Sequence, residues 1–216
     1  MTSFGLFHIG FLAQAAQWTI LLSLLAFAGG GLFGIVVALC RVSRHAPLRW
    51  LASAGIQLVQ GTPLLVLLFL AYFGLSIVGF QLPPLAAAAL ALTLYSAAFL
   101  GEIWRGCIQA VPRTQWEAAE CLGLNRTQQM VRVVLPQAAR IAVAPTVGFM
   151  VQVVKNTSLA SVIGFVELSR AGNLVNNSTF QPFLVFITVA LFYFCLCYPL
   201  SVASRRLERR LNANRS

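Results

Sequence analysis

Residues 115–137 read QWEAAECLGLNRTQQMVRVVLPQ, a polar, arginine-bearing stretch set between long apolar runs. Within it Glu117-Ala118-Ala119, Gly123 and Leu135-Pro136 stand at fixed intervals. Glu117 to Leu122 suits a short helix that Gly123 ends with a left-handed C-cap. Asn125 is an adequate N-cap for a second helix running to a break at Pro136. Two short helices and a tight corner make a compact knob. On the first helix Trp116, Ala119 and Gly123 follow i, i+3, i+7 spacing. That small-residue face lets another surface approach closely, and Glu117 is free for an Arg or Lys of that surface. The competing reading is an amphipathic loop lying on a membrane.

The runs on either side decide the fold class. The chain is 59% hydrophobic and 9% charged, with a mean hydropathy of +0.82, far outside the range of soluble domains. No Asp, Glu, Lys or Arg precedes Arg41, and none lies between Arg49 and Glu102. Windows near 18–39, 51–78, 85–103, 141–165 and 183–203 are each close to or beyond the ~20 residues a helix needs to cross a bilayer. Barrel strands would be ~10 residues long with alternating polarity, which these windows lack. The expectation is an all-α membrane protein of about five transmembrane helices. It forms one membrane domain over residues 1–216, with a polar loop at about 112–137.

Basic residues set the orientation. Arg41, Arg44 and Arg49 fall in the first loop, Arg105, Arg113, Arg126, Arg132 and Arg140 in or beside the third, and Arg205, Arg206, Arg209, Arg210 and Arg215 after the last span. In a five-span arrangement all of these share one side, leaving only Lys155 and Arg170 elsewhere, so that side and the C-terminus are expected in the cytoplasm and the N-terminus outside. A net charge of +10 then reflects loops against anionic lipid rather than nucleic-acid binding. Residues 1–17 lack the positive region of a signal peptide, and Phe4, Phe7 and Phe11 suit a short amphipathic helix along the outer interface.

Other chemistries find little support. Cys40, Cys107, Cys121, Cys195 and Cys197 sit in spans or on the cytoplasmic side, where packing rather than disulfide formation is expected. Cys195 and Cys197 are i, i+2 on a helix and face apart, with no His or acidic partner near, so no metal site is expected. Neither a GxxxxGK[ST] nor a GxGxxG run is present, so nucleotide chemistry would belong to a partner. The spans lack the convergent nucleophile and base of an intramembrane enzyme. A secondary carrier or channel for small polar solutes stays open on composition, but gives no reason for the 115–137 knob.

Beyond that knob, Gly61-Thr62-Pro63-Leu64-Leu65, Tyr95-Ser96, Glu102, Arg105-Gly106, Ile108-Gln109-Ala110-Val111-Pro112 and Lys155-Asn156-Thr157-Ser158-Leu159 follow in order. Together with Glu117-Ala118-Ala119, Gly123 and Val133-x-Leu135-Pro136, they make the chain resemble the permease subunits of ABC importers, and more narrowly the polar amino acid permeases. Val133 departs from the usual Ile. The likeness covers residues from about 18 to 211. It implies a type I importer permease fold in a bacterial inner membrane. It also implies a coupling role for Trp116, Glu117, Ala118, Ala119, Gly123, Leu135 and Pro136 against a cytoplasmic ABC ATPase dimer that binds ATP and Mg. The further partners it implies are a second permease subunit, identical or homologous, an extracytoplasmic binding protein and an amino acid substrate.

Substrate handling is expected where helices break near the midplane, because freed backbone groups there can face only protein or an aqueous cavity. Gln60, Gly61 and Thr62 before Pro63 form one such break. Lys155, Asn156, Thr157 and Ser158 form a second wall at comparable depth. Gly61 and Pro63 free backbone for a carboxylate, and the side chains opposite offer groups suited to an α-amino group. Ordinary helix-to-helix hydrogen bonding or a plain kink would give the same sequence. Lys155 has three readings: a pair with Glu167, a contact to a substrate carboxylate, or a reach to the outer interface. Gln60 stands where many members of the resembled family have Arg, and Asn156 where many have Asp. A wall without an acid points towards neutral or acidic cargo such as glutamine, glutamate or cystine.

Overall fold

The computed structural model describes residues 4–213, with side chains given for all of these but 210, 212 and 213. Of the basic residues noted above, Arg215 and the Arg210 side chain lie outside the described residues. Among the described residues eight helices follow one another and no strand occurs: α1 (Leu6–Arg41), α2 (Ala46–Gln60), α3 (Leu64–Ile77), α4 (Pro84–Gln109), α5 (Arg113–Cys121), α6 (Arg126–Ile163), α7 (Leu168–Thr179) and α8 (Pro182–Ala213). Helices α1, α4, α6 and α8 are each long and apolar enough to cross a membrane, and the bent pair α2–α3 supplies a fifth span if it counts as one.

Helix α1 organises the rest. It is unbroken over 36 residues, about 54 Å at 1.5 Å per residue. The separate amphipathic helix expected around Phe4, Phe7 and Phe11 does not exist. Leu12 to Gln17 are Leu, Ala and Gln, strong helix formers, so the first turns continue into the span. Phe4 and Phe11 instead pack on a cluster of Leu12, Ala15 and Ala16 with Leu168, Ala171, Val175, Val185 and Val189.

Glycines let α1 and α4 approach closely. A Cβ on Gly30 would overlap the Ser96 side chain, one on Gly34 would lie 3.1 Å from Leu100 Cβ, and one on Gly101 would lie 2.5 Å from Val37 Cγ1. The small face at Gly30 and Gly34 is therefore an intrachain seam. At its arginine-rich end Glu102 of α4 takes Arg41 of α1 (2.9 Å) and Arg105 (2.7 Å), so its pair with Arg105 is also a clip between helices.

Two interruptions shape the other spans. Helices α2 and α3 meet at 99° across Gly61–Pro63. Helix α6 widens to a π-helical stretch over Gln129–Val134, then tightens to a 3-10 stretch over Thr157–Ile163 that Gly164 closes at φ 87°. The expected break at Pro136 is absent. Its missing N–H and ring are accommodated just after the wide π stretch, and α6 continues for 38 residues. Buried Leu64, Leu68 and Ala71 of α3 pack with Phe149, Val153, Ala160 and Ile163 of α6 in the main core.

Gly30→Val overfills the α1–α4 seam and is expected to cost about 1–3 kcal/mol or more. Thermal unfolding in detergent should show a clear fall in Tm for Gly30→Val. Gly10→Ala, where an added Cβ meets nothing, should leave it unchanged.

Candidate functional site: a rigid knob and a broken span

The knob begins at Pro112, whose φ of −54° leads into α5. Its end is a complete Schellman motif: Gly123 N–H donates to Glu120 O (2.9 Å) and Leu124 N–H to Ala119 O (3.2 Å), with Gly123 at φ 71°. Two residues later Asn125 Oδ1 accepts from Gln128 N–H (3.0 Å) while Gln128 Oε1 accepts from Asn125 N–H (2.9 Å), a reciprocal capping box. Gln129, buried, donates to Leu124 O (2.7 Å) and staples the corner from inside. Gln137 of α6 reaches back to Gln115 of α5 (3.3 Å). The corner expected at Gly123 and Asn125 is thus present, and it is fixed at every turn.

The knob's outward face differs from the expected one. Ala119 is buried, and Trp116 packs inward on Ile108, Val111, Val134 and Ala138. Arg126 lies over the Trp116 ring, 5.9 Å from its centroid. The small-residue spacing therefore seats the knob on its own chain. Outward stand Glu117, Ala118, Cys121, Gly123 and Leu122, the last 79% exposed. Glu117 is in no ion pair among the described residues. Leu135 is half-buried in the cluster beneath the knob and Pro136 is exposed. Leu122 and Gln129 were missed in the sequence. Leu122 is an apolar residue directly before the capping glycine, a signal that the sequence does carry.

At the break in the second span, most expected groups are already bonded. Gly61 N–H donates to Gln57 O (2.8 Å), Thr62 N–H to Val59 O (3.3 Å), and the Thr62 hydroxyl to Leu58 O (2.7 Å). Gln60 Nε2 reaches Ala98 O of α4 at 3.5 Å. The free amides that Gly61 and Thr62 were expected to offer lie one turn on. Leu64 and Leu65, opening α3, have no backbone acceptor among the described residues. Their N–H groups form the positive end of that helix.

On the facing wall, Thr157 is buried with its hydroxyl on Val154 O, and Ser158 donates to Lys155 O, both at 2.7 Å. Asn156 Oδ1 accepts from Gln152 (3.0 Å), while its Nδ2 is buried with no partner. Packing of α3 against Thr157–Ile163 brings the two segments to one region. The Lys155–Glu167 pair does not form. Glu167 is the N-cap of α7, buried, and its carboxylate accepts from Arg170 N–H (2.9 Å) and the Tyr193 hydroxyl (2.7 Å). Burial pushes the Glu167 carboxyl up, opposed by hydrogen bonds from Ser169, Tyr193, Arg170 and Thr19. Lys155 is exposed and in no ion pair among the described residues. All five cysteines are free, and no His/Cys/Asp/Glu group able to hold a metal occurs among the described residues.

A bundle of long apolar helices, one span broken at 99° and a rigid knob at the arginine-rich end define a multi-pass membrane transport subunit. Residues 30–213 match the family described as binding-protein-dependent transport system inner membrane component, and the chain belongs to that family. It is similar to the Bacillus subtilis "Probable glutamine ABC transporter permease protein GlnM", 39% identical over 193 residues, 89% of each chain. The Bacillus subtilis L-cystine transport system permease protein TcyB is 35% identical, covering 93% of this chain and 86% of its own. The Escherichia coli glutamine transport system permease protein GlnP is 32% identical, covering 94% of both. Among solved structures, a crystal structure of an amino acid ABC transporter with histidines superposes with a TM-score of 0.90 at 33% identity, covering 97% of this chain and all of that one. An inward-facing MetNI methionine ABC transporter shares the fold, with a TM-score of 0.82 at 22% identity.

The left-handed backbone at Gly123 yields one prediction. A Cβ there meets no atom, so only conformation penalises a side chain, by about 1–3 kcal/mol for a β-branched one. Gly123→Val should insert normally but lose most substrate-dependent uptake in vesicles, whereas Gly123→Asn, which tolerates this backbone, should keep most of it.

Proposed function

We propose that this chain is a permease subunit of an ATP-driven importer for polar amino acids. In this reading the knob seats on a cytoplasmic ATPase dimer that binds ATP and Mg. A second permease subunit completes the pathway, and an extracytoplasmic binding protein delivers cargo. The observation that carries the proposal is the cross-braced corner from Gly123 to Gln129, continuous with α6. A rigid element passes displacement on, whereas a flexible tether would absorb it. Glu117, Ala118 and Leu122 make the contact; Trp116, Ala119, Leu135 and Pro136 seat and orient the knob.

For cargo, the start of α3 and the Asn156 wall support the reading. The N–H groups of Leu64 and Leu65 suit a carboxylate, and the unpartnered Asn156 Nδ2 suits an acceptor on the substrate. Gln60, Gly61 and Thr62 hold the break open, Thr157 and Ser158 hold the facing turn, and Lys155 supplies the nearby positive charge. With no acid on that wall, neutral or acidic amino acids are favoured.

The test is substrate-dependent ATP hydrolysis by the chain reconstituted with its ATPase, permease partner and binding protein, amino acids being screened singly. Stimulation by a loaded binding protein supports the importer. Uptake that persists without any ATPase would instead support a carrier or channel. Asn156→Asp should move the preference of arginine over glutamine by about tenfold, roughly 1.4 kcal/mol, when competing uptake is measured.

A further inference from the structure

We propose that Tyr193 of α8 is a positioning residue for cargo binding, holding in place, through Thr157, the turn that carries Asn156; this deepens the cargo assignment above and rests on it. The starting point is Glu167, wholly buried and in no ion pair among the described residues. As a helix cap alone it is oversized, since Ser, Thr, Asp or Asn serves that position. Its carboxylate instead gathers donors from three helices: Thr19 of α1, the Ser169 and Arg170 N–H groups of α7, and the Tyr193 hydroxyl (2.7 Å). Thr19 in turn accepts from Leu168 N–H (3.1 Å). An ionised carboxylate only accepts, so the Tyr193 proton points at Glu167 and Ser169 donates in its own contact to the Tyr193 oxygen (3.0 Å). The phenol is thereby fixed from two sides.

A fourth helix meets the same hydroxyl. Thr157 of α6, whose own hydroxyl closes on Val154 O (2.7 Å), also stands within hydrogen-bonding reach of the Tyr193 oxygen. Thr157 is buried, follows Asn156 directly and is the first residue of the 3-10 stretch. Where a helix tightens to 3-10 its internal hydrogen bonds have poorer geometry, so a tertiary anchor at that point decides where the neighbouring side chain is aimed. The other hold on Asn156 is Gln152, which is exposed and fixes only the amide oxygen. Tyr193 and Glu167 touch no cargo in this arrangement. They set the backbone from which the unpartnered Asn156 Nδ2 is presented, and a recognition group displaced by a fraction of an ångström loses much of its value.

The test is equilibrium binding of radiolabelled glutamine to the complete membrane complex, this chain with its permease partner and ATPase, in lipid nanodiscs. Asn156→Ala should weaken binding by about tenfold, the loss of one buried hydrogen bond. Tyr193→Phe, which keeps the ring and removes only the hydroxyl, should weaken it by about fivefold. The double variant should bind no more than about twofold worse than Asn156→Ala alone, because the first change acts through the second. A merely structural loss would add instead. Thr188→Val, removing an α8 hydroxyl bonded within its own helix, should leave binding unchanged. Wild-type binding in Tyr193→Phe, or losses that add in the double variant, would overturn the positioning role while leaving the cargo assignment standing. Unchanged binding in Asn156→Ala would overturn the cargo assignment and the positioning role with it. Should Tyr193→Phe fail to fold, Glu167→Gln, which keeps an acceptor for Arg170 N–H, decides in its place: the same loss, merging with that of Asn156→Ala, is expected, and wild-type binding would overturn the role.

Discussion

Hydrocarbon offers a broken helix no hydrogen-bond partner, so every interruption inside the spans must be closed by the chain itself. That constraint accounts for the hydroxyl side chains at the breaks. Thr62 closes on Leu58 O where α2 ends, and Thr157 on Val154 O and Ser158 on Lys155 O where α6 tightens. With those carbonyls satisfied, a 99° bend and a helix that changes pitch twice become affordable within one bundle. The groups left open are then few, and they are the ones a ligand can use.

The same economy links the knob to the interior. Helix α6 begins in the capped corner at Arg126 and ends at Ile163, so the knob and the Asn156 wall are two regions of one continuous helix. The π stretch at Gln129–Val134 is what makes that continuity compatible with Pro136. The Glu102 clip to Arg41 and Arg105 holds α1 and α4 together beside it. Under the proposed coupling, movement of the knob shifts α6 against a seam that Gly30, Gly34 and Gly101 pack too tightly to yield.

Much of this was legible in the chain. The helical class, the apolar windows, the Gly123 turn, the Asn125 cap and the break before Pro63 each rest on a local rule with a local cause. The misreadings concern direction rather than existence. Pro136 looks like a stop until the wider helix before it is seen. Trp116 and Ala119 have the spacing of a face, but spacing does not say whether that face turns to a partner or to Val134 and Ala138. Lys155 and Glu167 were paired as opposite charges, whereas Glu167 had nearer donors in Arg170 N–H and Tyr193 and no need of a cation. Phe4 and Phe11 resemble an interfacial stripe, yet the helix formers after them carry α1 on without a stop.

Among the described residues three polar side-chain atoms remain buried without a partner: Ser96 Oγ, Asn176 Oδ1 and Asn156 Nδ2. Leaving such a group unmade costs about 1–3 kcal/mol, so each needs a reason. Ser96 lies at the seam where Gly30 gives it no room for another side chain, a cost offset by helix packing. Asn156 differs because its oxygen is held by Gln152, which fixes the amide plane and leaves the N–H pair directed. A held donor recovers its cost whenever a substrate supplies the acceptor, and it does so without first rearranging. Under the proposed cargo site, that asymmetry, one end anchored and one end open, makes Asn156 a recognition group rather than a packing defect. In that reading it favours cargo that brings an acceptor over cargo that brings another positive charge.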